Sequence, residues 1–195
     1  MTKGCWHYAR LYCEENVSFL GQEPRLANFS KKAVFVSNDR RQCVLFHQRA
    51  SPSPMLPIAF EYHVFFICYD RGWQVWDLDT VLSLPTQLKE YLDMTFARHR
   101  PVTGELTLSF RVIDFAEFRS NLSSDRSHML DSSGKWIAPP PAWAPIMIGN
   151  SSNLANFVDM RTKSFGSVMN LYDFRREYGP GGDGGSQNSR PKNQL

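Results

Sequence analysis

Apolar positions are densest between residues 62 and 80. The run Tyr62-His63-Val64-Phe65-Phe66-Ile67-Cys68-Tyr69 is followed by a break at Asp70-Arg71-Gly72 and a second run, Trp73-Gln74-Val75-Trp76-Asp77-Leu78-Asp79-Thr80. Two β-branched and aromatic runs around a Gly-containing break predict a β-hairpin. Apolar residues on both faces place its strands in the interior. With a three-residue loop and Gly72 in the left-handed conformation, Tyr69 faces Trp73 and His63 faces Asp79. Asp77 is then a same-face diagonal neighbour of His63, about 7–8 Å away between backbones. A two-residue loop would turn His63 away from both aspartates.

The remaining pattern alternates between helical and strand periods. Val17, Phe19 and Leu20 predict a short helix from near Cys13 to Gly21 or Pro24. Residues 32–48 read as strand, polar turn, strand, and 51–57, with three prolines, as a connection. Leu84-Pro85-Thr86 opens a helix whose Leu88, Tyr91, Leu92, Thr95 and Phe96 recur at helical spacing. A strand at 110–113, helices at 115–122 and 153–158, a strand at 165–169 and a helix at 171–178 complete the order. The polar stretch 123–136 and the prolines after it form a long connection, of the kind that is often a functional loop and otherwise plain surface. Residues 179–195 carry almost nothing apolar and read as a mobile tail.

Composition narrows the classes. A chain of 195 residues, 42% apolar and 13% aromatic, fits one domain, residues 1–178, with a packed core. The net charge of +3 is too small and dispersed to argue for nucleic acid, and no apolar run reaches the ~18 residues of a membrane span. The polar opening segment is unlike a signal peptide. The four cysteines show no CxxC pair or zinc spacing, and Cys5 with His7 lacks further ligands. No metal is expected, and reduced thiols in the cytosol, or also the nucleus, are.

Candidate chemistry follows from position. Cys13 opens a helix, whose positive end lowers a thiol pKa, while Glu14 and Glu15 would raise it if they faced the sulfur. A low thiol pKa would make Cys13 the fastest of the thiols to alkylate at mildly acidic pH. Cys43 and Cys68 read as core. A nucleophilic cysteine with a His–Asp pair on adjacent strands is the set that cysteine-dependent amide cleavage uses. The spacing alone leaves Asp77 and Asp79 both open as the histidine's partner.

The blocks Tyr12-Cys13-Glu14-Glu15-Asn16, Val34-Phe35-Val36-Ser37-Asn38, Tyr62-His63-Val64, Asp77-Leu78-Asp79-Thr80-Val81, Ser124-Asp125-Arg126-Ser127-His128-Met129 and Asp131-Ser132-Ser133-Gly134-Lys135-Trp136 occur in this order. In them the chain resembles the protein N-terminal glutamine amidohydrolase family over about residues 8–178. The resemblance implies an α/β fold of the α+β type, transglutaminase-like or papain-like, with a mostly antiparallel central sheet flanked by helices. It also implies a catalytic triad of Cys13, His63 and Asp77, with Asp79 left to cap the segment after the strand. The implied reaction converts the N-terminal Gln of proteins and peptides to Glu, releasing ammonia through a thioester, within the N-degron pathway. It needs no cofactor, and a monomer is expected. A group must read the free α-ammonium; Glu14, Glu15 and Asp125 are the candidates. Acyl transfer to an amine, as in a transglutaminase, or cleavage of backbone amides would use the same triad. An inactive binding module would not retain it.

Overall fold

The computed structural model describes residues 6–96 and 107–182. Cys5, Arg98 and the tail beyond residue 182 lie outside these. Among the described residues, eight strands and five α-helices form an α+β domain. The strands are β1 (Ser30–Ser37), β2 (Cys43–Leu45), β3 (Ile58–Phe60), β4 (His63–Tyr69), β5 (Trp73–Trp76), β6 (Thr86–Gln87), β7 (Ser109–Asp114) and β8 (Ser167–Asn170). The helices are α1 (Cys13–Leu20), α2 (Leu88–Thr95), α3 (Phe115–Asn121), α4 (Leu154–Val158) and α5 (Leu171–Tyr178). Six strands make one sheet in the order β6-β5-β4-β1-β7-β8, antiparallel at every pairing. The strand–turn–strand expected at 32–48 divides: β1 enters this sheet, whereas β2 pairs with β3 in a separate two-stranded one.

Burial on both faces explains why β1 and β4 read as continuous apolar runs. Val64, Phe66 and Cys68 of β4, with Ala33 and Phe35 of β1, pack against Val17 and Leu20 of α1, Phe115 and Phe118 of α3 and Phe157 of α4. Phe65 and Ile67, with Val34 and Val36, pack against Leu88, Tyr91 and Leu92 of α2 and Phe174 and Tyr178 of α5. The end of α1 lies tight against α3: a Cβ at Gly21 would run into the Phe115 ring. Leu84-Pro85-Thr86 does not itself open α2. Thr86 and Gln87 first pair with β5, and the helix begins at Leu88. No helix among the described residues is long and apolar enough to cross a membrane.

The hairpin has the expected register, Tyr69 opposite Trp73 and Phe66 opposite Trp76. The left-handed loop residue, however, is Arg71 (φ 57°) and not Gly72. The ladder also stops at Trp76, so His63 has no partner across from it on β5 and does not face Asp79 through strand pairing.

Arg111 of β7 is fully buried. Its guanidinium donates to the carbonyls of Phe157, Asp159, Thr162 and Phe165 at 2.6–2.9 Å. It supplies donors to a segment that has no strand partner for those carbonyls. Arg111→Met would strand several buried acceptors, each costing about 1–3 kcal/mol. We expect a loss of about 3–5 kcal/mol, read as a lower urea midpoint at unchanged slope.

Candidate active site

Three structural elements converge at the start of β4. Helix α1 delivers Cys13, Glu14 and Glu15 in its first turn. The segment before it is pinned by Asn16, whose side chain accepts from the Ala9 N–H (2.8 Å) and donates to the Ala9 carbonyl (2.9 Å). Cys13 is nearly buried and packs in the core cluster containing Val64 and Leu78. Its thiol lies 3.7 Å from Glu14 Oε2, and the nearby Val64 backbone favours its charged form. The β4–β5 ladder ends before this point, and Cys13 packs with Val64, the residue that follows His63 in the chain.

His63 and Asp77 form a buried pair, Nε2 to Oδ2 at 3.0 Å. Asp77 also accepts the Tyr91 hydroxyl at Oδ2 (2.8 Å) and the Asp79 N–H at Oδ1 (2.9 Å). Burial opposes charge on both groups. For His63 the carboxylate of Asp77 outweighs burial and lifts the imidazole pKa above its ordinary value. For Asp77 burial is outweighed by His63, then by Tyr91 and the Asp79 amide, which hold the carboxyl low. The alternative left open by spacing is thereby resolved in contacts. Asp79 receives the Tyr8 hydroxyl at 2.8 Å, and burial together with Asp77 pushes its carboxyl up to about 6. Asp77 itself, rather than Asp79, caps the turn after β5.

The thiol departs from expectation. Burial pushes Cys13 well above the ordinary thiol value, and Glu14, Asp79 and Asp77 push in the same direction; only the Val64 backbone opposes them. A helix start lowers a thiol pKa when the site is partly exposed and electropositive. Here the site is buried and rimmed with carboxylates, which favour the neutral thiol. Fast alkylation at mildly acidic pH is accordingly not expected. Cys43 and Cys68 are core thiols, as read from the sequence, pushed up by burial to about 12 and about 11.

The three carboxylates considered for the α-ammonium have different surroundings. Glu15 is clamped by Arg126, Nε to Oε1 at 2.6 Å and Nη2 to Oε2 at 2.8 Å, and by the Trp143 indole at 2.5 Å. Asp125 is exposed and engaged locally with the Ser127 N–H and hydroxyl, which hold its carboxyl low. Glu14 is 0% exposed and adjoins the sulfur. Its neighbours are the Tyr62 hydroxyl (3.2 Å to Oε2), the Ser124 hydroxyl (3.4 Å to Oε1) and His128 Nε2 (3.4 Å to Oε1). Burial raises its carboxyl pKa, opposed first by His128.

Tyr62, Ser124 and His128 were legible only as members of motif blocks, and Tyr91 only as a core residue of α2. Their roles appear when the 123–146 segment closes over α1, through Arg126–Glu15, Trp143–Glu15 and the Tyr12 hydroxyl to the Ala138 carbonyl (3.1 Å). The polar density of that segment was the signal available beforehand. Among the described residues no group of three or more His, Cys, Asp or Glu side chains is placed to hold a metal ion.

A family profile described as N-terminal glutamine amidase matches residues 8–178. A curated Drosophila melanogaster protein named protein N-terminal glutamine amidohydrolase is 37% identical over 179 residues, covering 88% of this chain and 87% of its own. The human protein of that name is 34% identical over 180 residues, with 88% and 87% covered. The bovine one is 34% identical over 175 residues, with 86% and 84% covered. The matched span runs from the segment that positions α1 to the last turn of α5 and takes in every residue of the site, and the chain belongs to the N-terminal glutamine amidase family.

Proposed function

We propose that this protein hydrolyses the side-chain amide of an N-terminal glutamine on proteins and peptides, giving N-terminal glutamate and ammonia through a Cys13 thioester. The relatives' names support the substrate class. The chemistry rests on the Cys13 thiol and the His63–Asp77 pair. As the sulfur attacks the carboxamide carbon, neutral His63 takes the thiol proton, and Asp77 stabilises the imidazolium formed. The imidazolium then protonates the departing amine, which leaves as ammonia. Neutral His63 next draws a proton from water as it attacks the thioester, and returning that proton to sulfur restores the thiol. Asp77 engages Nε2, so Nδ1 is the nitrogen for the sulfur. The N–H groups of a helix's first turn lack intrahelical acceptors, which suits that of Cys13 to the oxyanion.

The observation that carries the reading is Glu14. A carboxylate buried beside a nucleophilic sulfur raises the thiol pKa and is costly to desolvate. An arriving α-ammonium answers both costs by pairing with the carboxylate and lowering the barrier to thiolate formation. Restriction to a chain terminus then follows from charge. Glu14→Gln should lower kcat/KM for free-amine Gln peptides by about 10²-fold, while N-acetyl-Gln peptides change little. Ammonia release without added amine measures both. Unchanged discrimination against the acetylated peptide would remove Glu14 from this role. On the same reading the enzyme works as a cytosolic, or also nuclear, monomer supplying N-terminal Glu to the N-degron pathway.

A further inference from the structure

Four side chains touch or approach the Glu14 carboxylate: Cys13, Tyr62, Ser124 and His128. Of these only His128 can carry positive charge. It stands on a 3-10 turn, Ser127–Met129, that follows Arg126 in the left-handed conformation (φ 65°). Its side chain is 26% exposed, whereas the Glu14 side chain is 0% exposed. His128 Nε2 lies 3.4 Å from Glu14 Oε1 and 3.3 Å from the Tyr62 oxygen. The Tyr62 hydroxyl donates its own proton to Glu14 Oε2. Both neighbours of Nε2 can accept a proton from it.

We propose that His128 is a positioning residue for terminal recognition: it is the resident counter-ion that keeps the buried Glu14 carboxylate ionised until the substrate's α-ammonium arrives. The proposal rests on the reading of Glu14 as the ammonium's partner. A fully buried glutamate with no cation nearby takes up a proton. A protonated Glu14 would offer the ammonium a neutral acid in place of an anion. The surrounding charges do not substitute for His128. Arg126, from the same loop, is held by Glu15. Glu15, next along α1, raises the Glu14 pKa. Asp125 beside the 3-10 turn is a further anion, its carboxyl stabilised by Ser127 and, more weakly, by His128. Tyr62 is neutral, its pKa raised by burial and Glu14. Burial and Glu14 favour the neutral form of the Cys13 thiol. Asp77 and Asp79 act on the thiol and His63.

The test is the ratio of KM in His128→Gln to KM in the wild-type enzyme for one Gln-initiated peptide across pH. Taking the ratio cancels titration of the peptide's own amine. At about pH 6 the ratio should be at least about fivefold, because loss of the cation raises the carboxyl pKa and leaves more of Glu14 protonated. At about pH 7.5, where less of the carboxyl is protonated in either protein, it should fall to within about twofold, with kcat within about twofold at both values. His128→Lys, which keeps a cation at the same place, should restore KM at the lower pH. A KM ratio that does not change with pH, a defect in kcat alone, or no rescue by lysine would overturn the proposal. Glu14→Gln separates the two levels. If it leaves discrimination against N-acetyl-Gln intact, the Glu14 reading itself fails. If it abolishes discrimination while His128→Gln behaves as wild type, only the role of His128 fails.

Discussion

Cys13→Ala should abolish ammonia release from Gln-initiated peptides, a loss on the order of 10⁶-fold. No other described thiol can replace it, because Cys43 and Cys68 are buried core residues. The substitution removes one sulfur at the start of α1 and leaves the Ala9–Asn16 tether and the Glu15–Arg126 clamp in place. The variant should therefore fold and still bind substrate. Measuring peptide binding to the inactive protein separates the missing nucleophile from a damaged site. Activity within a hundredfold of wild type would refute the nucleophile. In the wild-type protein, alkylation of Cys13 should be slow at acidic pH and rise steeply into the alkaline range. Burial and Glu14 hold the sulfur protonated, and only the thiolate reacts.

Asp77→Asn should reduce kcat by about 10⁴-fold. The carboxylate accepts the Nε2 proton of His63 and so leaves Nδ1 unprotonated to receive the thiol proton. An amide nitrogen presented to Nε2 favours the other tautomer, with the proton on the nitrogen that should act as base. The same change has a signature in pH. Neutral His63 is the active form, so activity falls as pH drops through its pKa. Asp77 lifts that pKa above the ordinary value against the effect of burial. Removing the carboxylate should move the acidic limb of kcat/KM to lower pH even as the plateau falls. A variant with a lower plateau and an unmoved limb would show that Asp77 acts on structure alone.

Stability follows the same two shifts with opposite signs. His63, raised in the folded protein, stabilises fully below its unfolded pKa of about 6.5 and loses that contribution as pH rises through the folded value. Asp77, lowered in the folded protein, stabilises above about 3.9 and loses its contribution as pH falls through the folded value. The pair thus adds most between about pH 4 and 6.5. A fully buried ion pair linking β4 to the turn after β5 concentrates this dependence at the site itself.

The hairpin at 62–80 illustrates what local pattern carries. Its register was recoverable because a three-residue loop and two-sided apolar runs leave few pairings. Gly72 misled as the source of positive φ: the turn instead puts Arg71 there, a conformation open to non-glycine residues at modest cost. β3 and β6, of three and two residues, were missed because segments so short show no periodicity. They exist through pairing with β2 and β5.

Glu14, Glu15 and Asp125 mark the boundary more sharply. As residues they were equivalent candidates, all acidic and all within motif blocks. Packing gave Glu15 an arginine and an indole, left Asp125 in solvent with Ser127, and sealed Glu14 against the sulfur with the His128 imidazole 3.4 Å away. The sequence by itself determined most of the element order and the two-faced sheet interior, because these depend on period and residue chemistry along the chain, and its family resemblance named the residues proposed here for cysteine-based amide hydrolysis. Tertiary structure alone decided which carboxylate meets which partner and that burial and Glu14 push the thiol pKa up. Desolvation and Coulomb energies depend on distances between atoms that are remote in sequence.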